Sequence, residues 1–103
     1  MNFRDAIGFE WDAGNLTKNW EKHGVTNQES EQVFSNRAFF VLDDEKHSES
    51  EQRQMIFGST DEGRFLSVTF TMRDRRIRVI SARDLSRPER KFFDEHVKRN
   101  TKI

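Results

Sequence analysis

The chain has 103 residues, the length of one domain at roughly 100–200 residues per domain, so residues 1–103 are read as a single folded unit. Hydrophobic residues make up 33% and charged residues 35%, with ten phenylalanines and two tryptophans, which implies a small core built from aromatic rings; the lack of cysteine excludes a disulfide framework, a cysteine-based zinc site and a thiol nucleophile. Net charge is zero, so a generally basic DNA binder is excluded; no stretch approaches the ~20 apolar residues of a membrane span, and a cytoplasmic protein without membrane contact is expected.

Ile7 to Trp11 alternates as a short half-buried strand does, which puts Phe9 and Trp11 in the core. Asp12 can cap a helix reaching about His23 and ended by Gly24; Leu16, Trp20 and His23 fall at helical spacing, so Trp20 is also expected in the core. Thr26-x-x-Glu29 has the form of a capping box for a helix from Asn27 to about Phe34, with Val33 and Phe34 turned inward. Ala38–Leu42 reads as a strand, Asp43–Ser48 as a polar connector and Gln52–Ser59 as a further strand. After the turn Asp61-Glu62-Gly63, Arg64–Arg73 and Arg76–Arg83 are strands joined at Asp74-Arg75. Ser86-x-x-Glu89 repeats the capping box, with Pro88 tolerated in the first turn of a C-terminal helix of about ten residues. The short turns imply an antiparallel meander in an α+β fold, with helices covering one face.

A tight hairpin at Asp74-Arg75 would set Arg73 opposite Arg76, Met72 opposite Ile77 and Phe70 opposite Val79. One face then carries Leu66, Val68, Phe70, Met72, Ile77 and Val79. The other carries Thr69, Thr71, Arg73, Arg76 and Arg78, with Ile80 and Ala82 further along. From Gly63 to Lys91 nine basic residues stand against three acidic ones, and eight of the nine are arginine. Arginines on such a face can be solubilising or paired with local carboxylates; the planar guanidinium also suits bidentate recognition of phosphate.

Phe9-Glu10-Trp11-Asp12, Asn19-x-x-Lys22-His23-Gly24-Val25, His47-Ser48-Glu49 with Arg53, and Gly58-x-Thr60 occur in that order. They are followed by Gly63-Arg64-x-Leu66-x-Val68-x-Phe70-Thr71-x-Arg73 and by Ile80-Ser81-Ala82-Arg83 with Glu89-Arg90. Taken together, from about residue 9 to residue 90, this pattern resembles the BrnT family. The resemblance implies a RelE-like fold, with N-terminal helices on one face of an antiparallel sheet and a C-terminal helix. It also implies a ribonuclease toxin that inhibits translation, and a BrnA-like antitoxin whose ribbon-helix-helix part would provide the only contact with DNA.

RNA cleavage of this kind, without metal or other cofactor, needs a proton acceptor for the ribose 2′-hydroxyl, a cation at the crowded phosphate and an acid for the leaving oxygen. Arg64, Arg73 and Arg83 are the candidates for phosphate, and His23 and His47 for proton transfer, with Lys22, Arg76 and Arg78 as further RNA-binding cations. Arg83 falls on the apolar side of the simple hairpin register unless the strand bulges, and stays a candidate through its Ile-Ser-Ala-Arg motif. His23 before a helix-ending glycine could equally complement the helix dipole, and His47 could be solvated. His96 reads as a packing residue. Glu49 and Glu51 could orient Arg53 or act as a base, but a solvated connector is the simpler role. Asp43, Asp44 and His47 match no established metal-ligand spacing, so no metal is expected. The alternative to an enzyme is a binding module whose cationic face seats an acidic antitoxin segment or assists DNA binding within a complex.

Overall fold

A two-residue turn at Asp74-Arg75 folds β4 (Phe65–Arg73) back on β5 (Arg76–Asp84) in the computed structural model, which describes residues 2–47 and 51–101. Both turn residues have positive φ, 48° and 65°, as a type I′ hairpin requires and as a β-carbon resists. Arg75 is exposed, so Arg75→Gly should remove that strain with little loss of contact and raise stability by about 0.5–1 kcal/mol. A thermal melt checks this; an unchanged or lower midpoint would mean that the turn is relaxed as it stands.

The remaining strands are β1 (Gly8–Phe9), β2 (Phe39–Asp43) and β3 (Gln54–Ser59), and the sheet order is β1-β5-β4-β3-β2. β2 to β5 form the expected antiparallel meander. β1 runs parallel to β5, so the sheet is mixed rather than antiparallel throughout.

The hairpin register begins as the alternation predicts, with Arg73 opposite Arg76, Met72 opposite Ile77 and Phe70 opposite Val79. It then shifts between Phe70 and Thr69, so that Thr69 meets Ser81, Val68 meets Ala82 and Ser67 meets Arg83. Ile80 is the extra residue of a bulge, and one extra residue exchanges the two faces of the strand beyond it. Ala82, expected on the cationic face, is therefore fully buried beside Val68, and Arg83 is turned to the opposite face.

The bulge is held from the outer edge of β5. β1 is only two residues long and leaves the rest of that edge without a strand. Asn15 Nδ2 donates to the Val79 carbonyl at 3.0 Å, and the Ala82 amide donates to Asn19 Oδ1 at 3.0 Å, one bond on each side of Ile80. Both asparagines are buried. This explains why α1 (Lys18–His23) departs from its expected form. The segment from Ala13 to Thr17 is a run of turns, with the Leu16 amide donating to the Asp12 carbonyl, and the inward position of α1 goes to Asn19 rather than to Trp20. Trp20 is 61% exposed and Leu16 49% exposed, against the expectation from spacing. Gly24 ends α1 in the left-handed conformation as expected.

α2 (Asn27–Ser35) starts with the capping box formed by Thr26 and Glu29 and buries Val33. Gly58 admits it closely, since a β-carbon there would lie 2.9 Å from Val33 Cγ1. Ile56, Leu66, Val68, Phe70, Ile77 and Val79 complete this side of the core, with Phe9, Trp11 and Phe34 partly buried against it. Phe3 in the 3-10 turn Phe3–Asp5 packs edge-on against Phe34, Phe39 and Phe70. The segment before Ile7, to which the sequence pattern assigns nothing, thus closes the core.

The other face is covered in part by α3 (Arg87–Thr101), longer than the ten residues expected. Phe92 meets Phe40 and Phe57, and Phe93 meets Phe65, residues that alternate with the core positions of their strands. The helices therefore occupy both faces. His96 packs against Phe92 and Phe40, as expected of a packing residue.

Candidate functional site

The hairpin divides the candidate residues into two groups. Arg73 and Arg76 stand at its turn, whereas Arg83 pairs with Ser67, six residues away along β4. At ~3.4 Å per residue the separation is about 20 Å, so one phosphate cannot be held by both Arg73 and Arg83.

At the end remote from the turn, Arg64 joins three elements. Its Nε and Nη2 donate to Asp84 at 2.7 and 3.1 Å, Nη1 to the Gly24 carbonyl at 2.9 Å and to Glu29 at 3.2 Å, and Nη2 to the His23 carbonyl at 3.2 Å. A guanidinium has five N–H donors, and these contacts use all of them. Arg64 is a clamp between the end of α1, the start of α2 and the end of β5, with each of its N–H groups engaged by a neighbour. Its hydrogen bond to Asp84 holds the Asp84 carboxyl below its ordinary range, with a smaller contribution from the charge of His23.

Arg83 differs. Its Nη1 and Nη2 form a fork on Glu89 at 2.7 and 2.9 Å, and Nη1 also donates to the Asp84 carbonyl at 3.2 Å. Two of the five N–H groups, Nε among them, have no partner among the described residues, on a side chain that is 40% exposed. Glu89 completes the expected capping box with Ser86, accepting from the Ser86 amide at 2.9 Å. Lys22 and His23 are exposed on the last turn of α1 at this same end of the hairpin.

Near the turn, Arg73 pairs with Glu51 through Nε and Nη2 at 2.7 and 3.1 Å, so Glu51 is engaged rather than merely solvated. Arg78 donates from Nη1 to Glu10 and Asp12, both at 2.8 Å, and from Nη2 to Asp12 at 3.0 Å. Arg73 and Arg78, with Lys18, Arg53 and Glu51, line a cavity of about 210 Å³. Lys18, and the carboxylates of Glu10 and Asp12 as partners of Arg78, were missed in the sequence; the parallel pairing of β1 with β5 brings Glu10 and Asp12 there, and the Asn15 and Asn19 bonds to β5 bring α1 with Lys18. Arg76 is exposed and has no ion pair among the described residues. His47 ends the 3-10 turn Glu45–His47, but its side chain, with Ser48 and Glu49, lies outside what is described. Among the described residues no three His, Asp or Glu side chains gather as a metal site would need, and no helix is long and apolar enough to cross a membrane.

The carboxylates in these pairs predict an acid response. The Arg83 fork, with the Ser86 amide assisting, holds Glu89 at about 2 against an ordinary 4.5. Arginine hydrogen bonds likewise lower Asp12, Glu51 and Asp84. A carboxyl whose pKa is depressed by folding contributes stability fully above its unfolded value and loses it as pH falls through the folded one. The melting temperature should therefore drop progressively from about pH 4.5 towards pH 2, and Glu89→Gln should flatten part of that slope. A melt series across this window checks it; a pH-independent midpoint would contradict the pairing.

Taken as a class, this is a small α+β domain with arginine–carboxylate pairs at both ends of one hairpin and an exposed lysine and histidine beside one of them. A family model described as "Ribonuclease toxin, BrnT, of type II toxin-antitoxin system" matches residues 11–89. The chain belongs to the BrnT family of ribonuclease toxins of type II toxin-antitoxin systems. Among solved structures it is similar to the ribonuclease toxin BrnT of Brucella abortus, solved at 1.1 Å, with a TM-score of 0.58 and 21% identity, covering 80% of this chain and 100% of that one. No curated protein matches.

Proposed function

We propose that the chain is a metal-independent endoribonuclease that inhibits translation in the cytoplasm, with its reaction centre at the Arg83 end of the hairpin. The observation that carries this reading is that Arg83 keeps two N–H donors without a partner among the described residues, at the end of β5 where α1 presents Lys22 and His23. In this mechanism a base removes the proton of a ribose 2′-hydroxyl and the 2′-oxygen attacks the adjacent phosphorus. The bond to the 5′-oxygen breaks, and that oxygen leaves with a proton from an acid, giving a cyclic phosphate and a free 5′-hydroxyl. Arg83 and Lys22 stabilise the charge that develops on the phosphate oxygens. His23 serves as one proton carrier, with His47 the candidate for the other. Arg64 is a positioning residue, because it grips the His23 carbonyl. Arg73, Arg76 and Arg78 bind phosphates about 14–20 Å further along the hairpin.

The fold is read as RelE-like, and the partner as a BrnA-like antitoxin through which alone the complex would contact DNA. Arg76, exposed and without an ion pair among the described residues, and the exposed Lys22 suit an acidic antitoxin segment that covers the RNA site. A second reading, a non-enzymatic binding module, is favoured by the internal carboxylate held by each of Arg64, Arg73, Arg78 and Arg83. Incubating the purified chain with RNA in excess EDTA separates the two. Cleavage with cyclic-phosphate ends is expected; intact RNA together with unimpaired growth on expression would leave only the binding module.

A further inference from the structure

Burying a large apolar side chain contributes about 1.5–3 kcal/mol, yet one of two tryptophans in a chain with a small core is left outside. Trp20 is 61% exposed on α1, about one turn before the exposed His23 and on the same side of the helix. Its neighbour Leu16 extends the apolar surface only slightly. The patch amounts to on the order of 200 Å², about a quarter of the ~800 Å² that each partner covers in a stable protein interface. It is the size of one planar ring. Stacking an unpaired base on an aromatic face while cations meet the flanking phosphates is the usual chemistry of single-stranded RNA recognition, and it is insensitive to base identity.

We propose that the indole of Trp20 stacks an unpaired nucleobase of the RNA substrate, so that a single-stranded segment crosses α1 beside His23. This rests on the ribonuclease reading and adds to it a substrate form: single-stranded rather than duplex RNA.

The test uses the full chain and a ten-nucleotide single strand of mixed sequence, 2′-O-methylated so that it cannot be cleaved, beside the same strand in a duplex. The wild type should bind the single strand more tightly, with quenching of tryptophan fluorescence. Trp20→Ala should weaken that binding about 5- to 100-fold and leave duplex binding unchanged. Trp20→Phe should restore most of the affinity and abolish most of the quenching, because Trp11 is partly buried and its indole nitrogen donates to Glu31. In cleavage assays Trp20→Ala should raise KM with little change in kcat. Equal single-strand affinity in wild type and Trp20→Ala would overturn the proposal while leaving the ribonuclease reading standing if RNA is still cut. Loss of antitoxin binding with RNA affinity intact would make the patch a protein contact and overturn it equally. A wild type that neither binds nor cuts RNA would remove both readings.

Discussion

Asn15→Ala should lower the stability of the folded protein by about 2–4 kcal/mol, the largest effect expected of any side chain outside the apolar core. Asn15 is 3% exposed and makes three backbone bonds: Nδ2 donates to the Glu10 and Val79 carbonyls, each at 3.0 Å, and Oδ1 accepts from the Asp12 amide at 2.8 Å. Alanine removes all three without supplying a replacement, and a buried backbone group left unpaired costs about 1–3 kcal/mol. The melting temperature should fall by roughly 10–25 °C for a domain of this size. In urea the midpoint should move while the slope stays constant, since the surface exposed on unfolding is unchanged. The consequence extends to the site, because the Val79 carbonyl borders the bulge that turns Arg83 outward. A midpoint equal to the wild type would show that the β5 edge does not depend on this side chain.

Arg83→Ala should reduce RNA cleavage about 100- to 1,000-fold, the usual effect of removing one preorganised donor to a developing negative charge. Its effect on stability should be small, below about 1 kcal/mol, because the Arg83–Glu89 pair is partly solvated and Glu89 keeps its Ser86 capping bonds. Arg83→Lys should recover little, since an ammonium lacks the second N–H edge that lets Arg83 hold Glu89 and phosphate together. Single-turnover cleavage at saturating enzyme, with a thermal melt of each variant, measures both quantities. Arg64→Ala should differ in stability: its clamp links α1, α2 and β5, so its loss should lower the melting temperature clearly, with cleavage lost through misplacement of His23. Wild-type cleavage in Arg83→Ala would remove this residue from the reaction.

The two arginines show where reading a sequence stops. Both sit in family-like motifs and both are the correct residue type for phosphate. What separates them is the number of N–H groups that neighbours leave open, and those neighbours come from positions 23, 24, 29, 84 and 89. Arg83 was expected on the apolar side unless the strand bulged; the bulge exists, but Ile80 within it looks like an ordinary alternating residue, so its place was out of reach. Trp20 was misjudged for a related cause. Helical spacing detects a stripe of large side chains but not whether a strand edge nearby needs an acceptor, and the edge of β5 gives the inward position of α1 to Asn19.

Local chemistry by itself determined a good deal about this protein. Strand alternation, the Asp74-Arg75 turn, the two capping boxes and the terminating Gly24 depend on interactions within a few residues, and each was legible along the chain. The family was legible too, from the order and spacing of short motifs between about residues 9 and 90. The tertiary structure decided the parallel addition of β1, the two-sided placement of the helices, the bulge and the division of the arginines between the ends of one hairpin. Those features follow from which edges and faces were left unsatisfied once the local elements had formed, and hydrogen bonds such as Asn15 to Val79, 64 residues apart, settle them without a trace in local pattern.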